Sequence, residues 1–278
     1  MSRLTRACVL LCLPLAVNAA SVTGPAARGL HFGSVAMDIP AIMNARLTPL
    51  TAYLQESLGA PVRLQLSPDM PSAIDEVANC HVDIAYLTPV AYLRAREKGN
   101  VRLVAKTVTQ GKSSFKLMIV VREDSPYRTV ADLENRSFAF GDRAALLQRA
   151  VVVGAGIKLK DFGEYRFLGH YDNIVRGVLN GDFDAGILKD TMAYQWERRG
   201  IRILYGSPDL PPYNIVVCGK VADETYQRIR TAFLSLDARN PGHLRVIKAL
   251  DPTYDGFSAA SDDEYDVVRR LVQPFWRP

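Results

Sequence analysis

Two apolar patterns alternate along the chain. Short, nearly continuous apolar runs recur between longer stretches in which apolar residues return every three or four positions. LHFGSVAM, from residue 30, reads as a strand. TPLTAYLQESLG reads as a helix, with Thr48 as cap, Pro49 in the first turn, Leu50, Tyr53, Leu54 and Leu58 on one face, and Gly59 beyond. VRLQL is a second strand and PSAIDEVANC a short helix. VDIAYL is an apolar strand of the kind covered on both faces, and TPVAYLRAREKG follows as a helix with Thr88 as cap and Pro89 as its first residue. VRLVAKTV closes this stretch, and FKLMIVVRE is a long apolar strand after it. The same order then restarts: TVADLEN, SFAFGD, AALLQRAVVVGAG, YRFLG, DNIVRGVLNG, DFDAGILK, TMAYQWERRG, IRILYGS and the strand PPYNIVVCGK. The remainder reads as mainly helical: DETYQRIRTAFLSLD, GHLRVIKAL, and SDDEYDVVRRLV with a Ser261/Glu264 capping box.

Strands alternating with helices predict an α/β protein built on mainly parallel sheets with helices on both faces. Two such units are present, about 30–115 and 122–210. FKLMIVVRE and YNIVVCGK bracket the second unit, which makes them the expected crossings between two lobes. Residues 20–117 and 215–278 then form a discontinuous first lobe, and residues 118–214 a second lobe inserted into it. Ligands of open α/β sheets sit at the carboxyl ends of strands, so facing lobes would gather several strand-end loops at one cleft.

The chain has 278 residues and a formal net charge of +5. Its first residues, MSRLTRACVLLCLPLAVNAAS, show a basic start at Arg3 and Arg6, an apolar run too short to span a bilayer, and a small-residue exit. Val17 and Ala19 suit the −3 and −1 positions of a signal peptidase site, so residues 1–19 are expected to be a leader cut after Ala19. Its removal takes away two arginines and no acid, leaving +3, a mild excess that fits a small anionic ligand and gives no case for nucleic acid. Export to an oxidising compartment would permit Cys80 and Cys218 to pair; two separate buried thiols are the other reading, and the sequence leaves both open.

Several strand ends offer polar side chains. Thr88 can cap helix N–H groups, donate to an anion, or do both. In the turn GHYD, Asp172 reads as a helix cap, which leaves one of His170 and Tyr171 to face the cleft, with solvent exposure the other reading for the histidine. In FGDRAALLQ, Asp142 reads as a helix cap and Arg143 as the charged donor of the turn. The four histidines are scattered, no His/Cys/Asp group has metal-ligand spacing, and no nucleophile elbow, phosphate loop or dinucleotide fingerprint occurs. The residues therefore point to no catalytic site, cofactor or metal.

CHVDIAYLTPVAYLRA, IVVREDSPYRTVADLENRSFAFGD and FLGHYDNIVRGVLNGDFDAGILKD together resemble the periplasmic phosphonate/phosphite/phosphate-type binding proteins of ABC transporters, over about residues 30–275. The resemblance implies a two-lobed periplasmic-binding-protein fold (type II-like), hinge closure on a small ligand, and no catalysis. It implies anion contacts at four places, of which Thr88-Pro89 is kept. Phe115 stands where the family has a tyrosine, Tyr171 stands where it has a histidine with His170 one position earlier, and FGDRAALLQ lacks the family's Ser-Thr-Ser-Gly loop. Arg143 is the candidate replacement. The ligand-binding set expected is Thr88, Phe115, Arg143, His170, Tyr171 and Lys189, with Tyr86 and Tyr213 as aromatic neighbours. The function implied is a periplasmic solute-binding protein that closes on a small anionic ligand for an ABC permease. The alternative is a sensing subunit that signals to a membrane histidine kinase without transport.

Overall fold

The structure is a computed structural model that describes residues 29–34 and 40–276. The expected leader, and the end of the first strand with Met37 and Asp38, lie outside the described residues.

Six strands form the first sheet: β1 (Leu30–Ser34), β2 (Val62–Leu66), β3 (Ile84–Leu87), β4 (Val101–Thr109), β10 (Asn214–Cys218) and β11 (Tyr254–Ser258). Their order is β11-β4-β10-β3-β1-β2, with β1 parallel to β2 and β3, and β10 antiparallel to both β3 and β4. The second sheet holds β5 (Leu117–Arg122), β6 (Ser137–Phe140), β7 (Glu164–Phe167), β8 (Ala185–Lys189) and β9 (Ile201–Gly206), in the order β7-β6-β8-β5-β9. The two orders correspond: each has a return strand, β10 or β5, running against its neighbours between the third and fourth strands of its unit. The expected α/β architecture of two sheets flanked by helices is what forms.

Helices follow the apolar stripes. On one face of the first sheet lie α1 (Pro40–Leu58), α7 (Asp223–Leu234) and α8 (Pro241–Leu250), which share a core with Phe32, Ile84 and Tyr86. On the other face lie α2 (Met70–Ala78) and α3 (Pro89–Lys98). In the second sheet, α4 (Leu146–Gly154) covers the face of Phe138, Phe140 and Ile187, and α5 (Tyr171–Asn180) and α6 (Asp190–Trp196) cover the face of Met118 and Leu188. The last helix, α9 (Asp266–Val272), touches both α3 and α4. One apolar core therefore runs from the first sheet through α3, α9 and α4 into the second.

Two expectations change, and a third gains a detail. Thr48 does not cap a helix: α1 begins at Pro40 and carries Pro49 inside it. Met43, Leu47, Leu50, Leu54 and Leu58 form one unbroken buried stripe, and that burial carries the helix through the proline. The mainly helical tail also holds one strand, YDGFS, which pairs with β4 as β11. The strands FKLMIVVRE and YNIVVCGK do not themselves cross between sheets. Each lies within one sheet, and the crossings are the short segments 110–116 and 207–213 before them. The two segments are bonded to each other, Phe115 N–H to the Leu210 carbonyl at 2.9 Å and Leu210 N–H to the Phe115 carbonyl at 2.8 Å. Cys80 and Cys218 form a disulfide, joining the end of α2 to the end of β10.

Candidate functional site

Both crossings leave from carboxyl ends of strands, β4 into residues 110–116 and β9 into residues 207–213. The carboxyl ends of the two sheets therefore meet at the crossings. Gln110 and Gly111 turn the first one sharply, both with positive φ (50° and 72°), closed by paired Thr109 and Lys112 backbone bonds. Asp190 anchors it to the second lobe: its carboxylate accepts from Lys116 N–H at 2.9 Å, and its own N–H donates to the Lys116 carbonyl at 2.9 Å. A small cavity opens beside this anchor, lined by Phe115, Lys189, Asp190, Thr191, Tyr194 and Pro212 among others. A larger cavity, of about 250 Å³, lies between Leu58, Asp83, Lys220 and Arg228 at the opposite end of the first sheet, away from these strand ends.

On the first-lobe side the wall is aromatic. The Tyr86 ring stacks on Tyr213 at 5.2 Å, and the Tyr86 hydroxyl is bonded to that of Tyr254 at 2.7 Å. Tyr86 is 2% exposed, so its hydroxyl is committed to Tyr254 and unavailable to a ligand. Burial pushes the Tyr254 phenol up to about 12 and Tyr86 well above its ordinary value. Tyr213 differs: its hydroxyl has no hydrogen-bond partner among the described residues. Its phenol is raised first by burial, then by Tyr254 of its own lobe, and also by Tyr171 and Asp142 of the other.

On the second-lobe side stands the turn after β6. Asp142 caps this turn and not the helix: its carboxylate accepts from Ala144 N–H at 2.7 Å, while the N-cap position of α4 is Ala145. Gly141 N–H donates to Gln148 Oε1 at 2.8 Å, and Gln148 Nε2 faces the Tyr171 hydroxyl at 3.4 Å. Burial raises the Tyr171 phenol, with a smaller push from Asp190. Arg143 is exposed and lies over the Phe167 ring, 4.7 Å from its centre. His170 holds the N-cap position of α5 through its backbone, with its side chain exposed and making no capping bond. Asp172 is not the cap; it sits in the first turn, where its charge suits the helix dipole. Lys189 lies 5.7 Å from the Phe115 ring centre, so these two share one place beside the crossings. Thr88 caps α3, accepting from Ala91 N–H at 3.1 Å.

The structure thus brings Lys189 and Phe115 together at the crossings, and Tyr171 against Gln148 beside the turn after β6. Thr88 and Tyr86 are engaged in capping and packing, and Arg143 and His170 lie exposed on second-lobe loops. Gln148 and Tyr254 were absent from the sequence-derived set. A glutamine on the buried face of AALLQRAVVV, beside Leu147 and Val151, was the signal available for the first. Tyr254 lay in a segment read without a strand. Among the described residues, no group of three or more His, Cys, Asp or Glu is placed to hold a metal ion.

A family model described as "ABC transporter, phosphonate, periplasmic substrate-binding protein" matches residues 32–265. The phosphonates-binding periplasmic protein of Escherichia coli (strain K12) is 23% identical over 261 residues, covering 88% of this chain and 76% of that protein. PhnD1 from Prochlorococcus marinus (MIT 9301), solved with methylphosphonate, superposes with a TM-score of 0.70 at 18% identity, over 89% of this chain and 98% of that one. XAC2383 from Xanthomonas citri, solved with a chloride ion, gives 0.72 at 20% identity, over 88% and 99%. These likenesses to solved structures carry the fold.

Proposed function

We propose a function from this premise: the chain belongs to the periplasmic substrate-binding proteins of phosphonate-type ABC transporters. The protein captures a small anionic solute of the phosphonate type between its two sheets and presents it to an ABC permease. It is a carrier and not an enzyme, in keeping with its family. The N-terminal segment 1–19 is the leader that exports it to the periplasm, and the lobes close on the solute about the crossings 110–116 and 207–213.

The observation that carries this reading is the meeting of strand carboxyl ends from both sheets at the bonded crossings, where Lys189 lies 5.7 Å from the Phe115 ring centre. A ligand there touches both lobes and so favours the closed arrangement over the open one. Tyr171 and Tyr213 are the hydroxyl donors, Lys189 the cation beside the crossings with Phe115, and Thr88 the polar group of the first-lobe wall. Arg143 and His170 are the polar groups of the rim.

A thermal-shift screen of the chain without residues 1–19 tests it, against phosphonates, phosphite, phosphate, sulfonates and carboxylates. A ligand at a hundred times its dissociation constant adds about 2.7 kcal/mol to stability, which is a rise of several degrees. A phosphonate-type acid is expected to give that rise, with a smaller radius of gyration in solution scattering. A chain indifferent to every acid in the panel overturns the reading.

A further inference from the structure

The turn after β6 has the position of an anion cradle but engages four of its N–H groups within itself and with the helix that follows. Gly141 N–H is taken by Gln148 Oε1, Ala144 N–H by the Asp142 carboxylate, Ala145 N–H by the Asp142 carbonyl, and Leu146 N–H by the Ala144 carbonyl. Gln148 is 6% exposed. A side-chain carbon placed on Gly141 would stand 2.8 Å from Gln148 Nε2, so no space remains between the backbone and the carboxamide for a ligand oxygen.

The orientation of the carboxamide is fixed by its neighbours. Gly141 N–H is a donor, so the atom it meets is the oxygen, and the amide nitrogen is left for Tyr171. A phenol oxygen that accepts from an amide keeps its own proton free for another acceptor. Gln148 thus links a backbone donor to a hydroxyl donor seven and twenty-three residues away.

We propose that Gln148 is the specificity-determining residue of the cleft: its carboxamide fills the place on Gly141 that an oxyanion would take and aims the Tyr171 hydroxyl at the ligand. The inference deepens the proposed function and rests on the ligand lying in this cleft. It also names the ligand class. With the Gly141 N–H occupied and the Asp142 carboxylate in the same turn, a hydroxyl donor suits a monoanionic acid group on an organic substituent. A dianion would meet that carboxylate without the Gly141 N–H to hold it.

Isothermal titration with methylphosphonate and methanesulfonate, alongside amide hydrogen exchange at Gly141, tests this on the wild type, Gln148→Ala, Gln148→Glu and Tyr171→Phe. Gln148→Ala is expected to free the Gly141 amide to exchange and to tighten methylphosphonate binding at least tenfold. Gln148→Glu keeps an acceptor for Gly141 but takes the Tyr171 proton. It should hold Gly141 protected and weaken methanesulfonate binding at least tenfold, as Tyr171→Phe does. A Gln148→Ala chain with a freed Gly141 amide and unchanged methylphosphonate affinity overturns the proposal, and so does a Gln148→Glu chain that binds as the wild type. A wild type that ignores both acids, beside a Gln148→Ala variant that binds methylphosphonate, supports the role of Gln148 and counts against the phosphonate-type function.

Discussion

Two tyrosines that stack on each other have opposite roles. Tyr86 is buried with its hydroxyl paired to Tyr254, and Tyr213 beside it has a hydroxyl with no partner among the described residues. Removing one member of a buried pair strands the other, which costs about 1–3 kcal/mol, whereas replacing both by groups of the same shape is close to neutral. Tyr254→Phe is therefore expected to lower the unfolding free energy in urea by about 1–2 kcal/mol. The double variant Tyr86→Phe/Tyr254→Phe should recover most of that loss, and a double variant less stable than the single one sinks the pairing argument. Tyr213→Phe keeps the stacking and breaks no bond, so its stability should stay within about 0.5 kcal/mol of wild type. Its effect belongs to ligand binding.

Among the elements, β6 and β8 depend on one carboxylate. Asp184, just before β8, accepts from Ser137 N–H and Ser137 Oγ, each at 2.8 Å, and from the Tyr127 hydroxyl at 2.8 Å. Burial alone would raise its carboxyl, but the bonds from Ser137 and Tyr127 outweigh burial and hold it below the ordinary carboxylate value. A carboxyl lowered in the folded state contributes fully above its unfolded value, near 3.9, and loses that contribution as the pH falls through the lowered folded value. Asp184→Asn is expected to cost about 2 kcal/mol at pH 7, since bonds to a charged acceptor are worth about 1.5–3 kcal/mol. Urea titrations at pH 7 and pH 3 check this: the gap to wild type should narrow at the lower pH, and a gap that widens refutes it. Elements of this kind were legible in the sequence wherever one local rule decided them. Thr88-Pro89 set the start of α3, and apolar runs bounded by Pro, Asp or Gly set β2, β3 and β6. What escaped was decided at a distance. The stripe through Met43 and Leu47 overrides the break that Pro49 suggests, and β11 exists because β4 offers it an edge. Gln148 reads as an ordinary helical residue until Gly141 and Tyr171 are placed around it.

For the whole molecule, the question is whether two sheets joined by two short crossings unfold as one body. The shared core is the argument that they do. α9 packs between α3 and α4, close enough that a side-chain carbon on Gly154 would lie 2.7 Å from Leu271 Cδ2. The segment around it is pinned to the first lobe by Lys106 on Glu264, by Tyr92 and Arg96 on Asp262, and by Arg94 over the Trp276 ring. The Cys80–Cys218 disulfide closes a loop of 138 residues that contains the whole second sheet. Its restriction of the unfolded chain is worth about 4–5 kcal/mol in the loop-entropy treatment, and in practice often less. The chain has two tryptophans, and they report separately: Trp196 packs in the core of the second sheet, and Trp276 lies against α3. In Trp196→Phe and Trp276→Phe variants, each retaining one reporter, urea unfolding followed by fluorescence should give coincident midpoints. Adding Cys80→Ser/Cys218→Ser should move both midpoints down together. A shift confined to the Trp276 signal would mean that the lobes unfold independently and that α9 does not couple them.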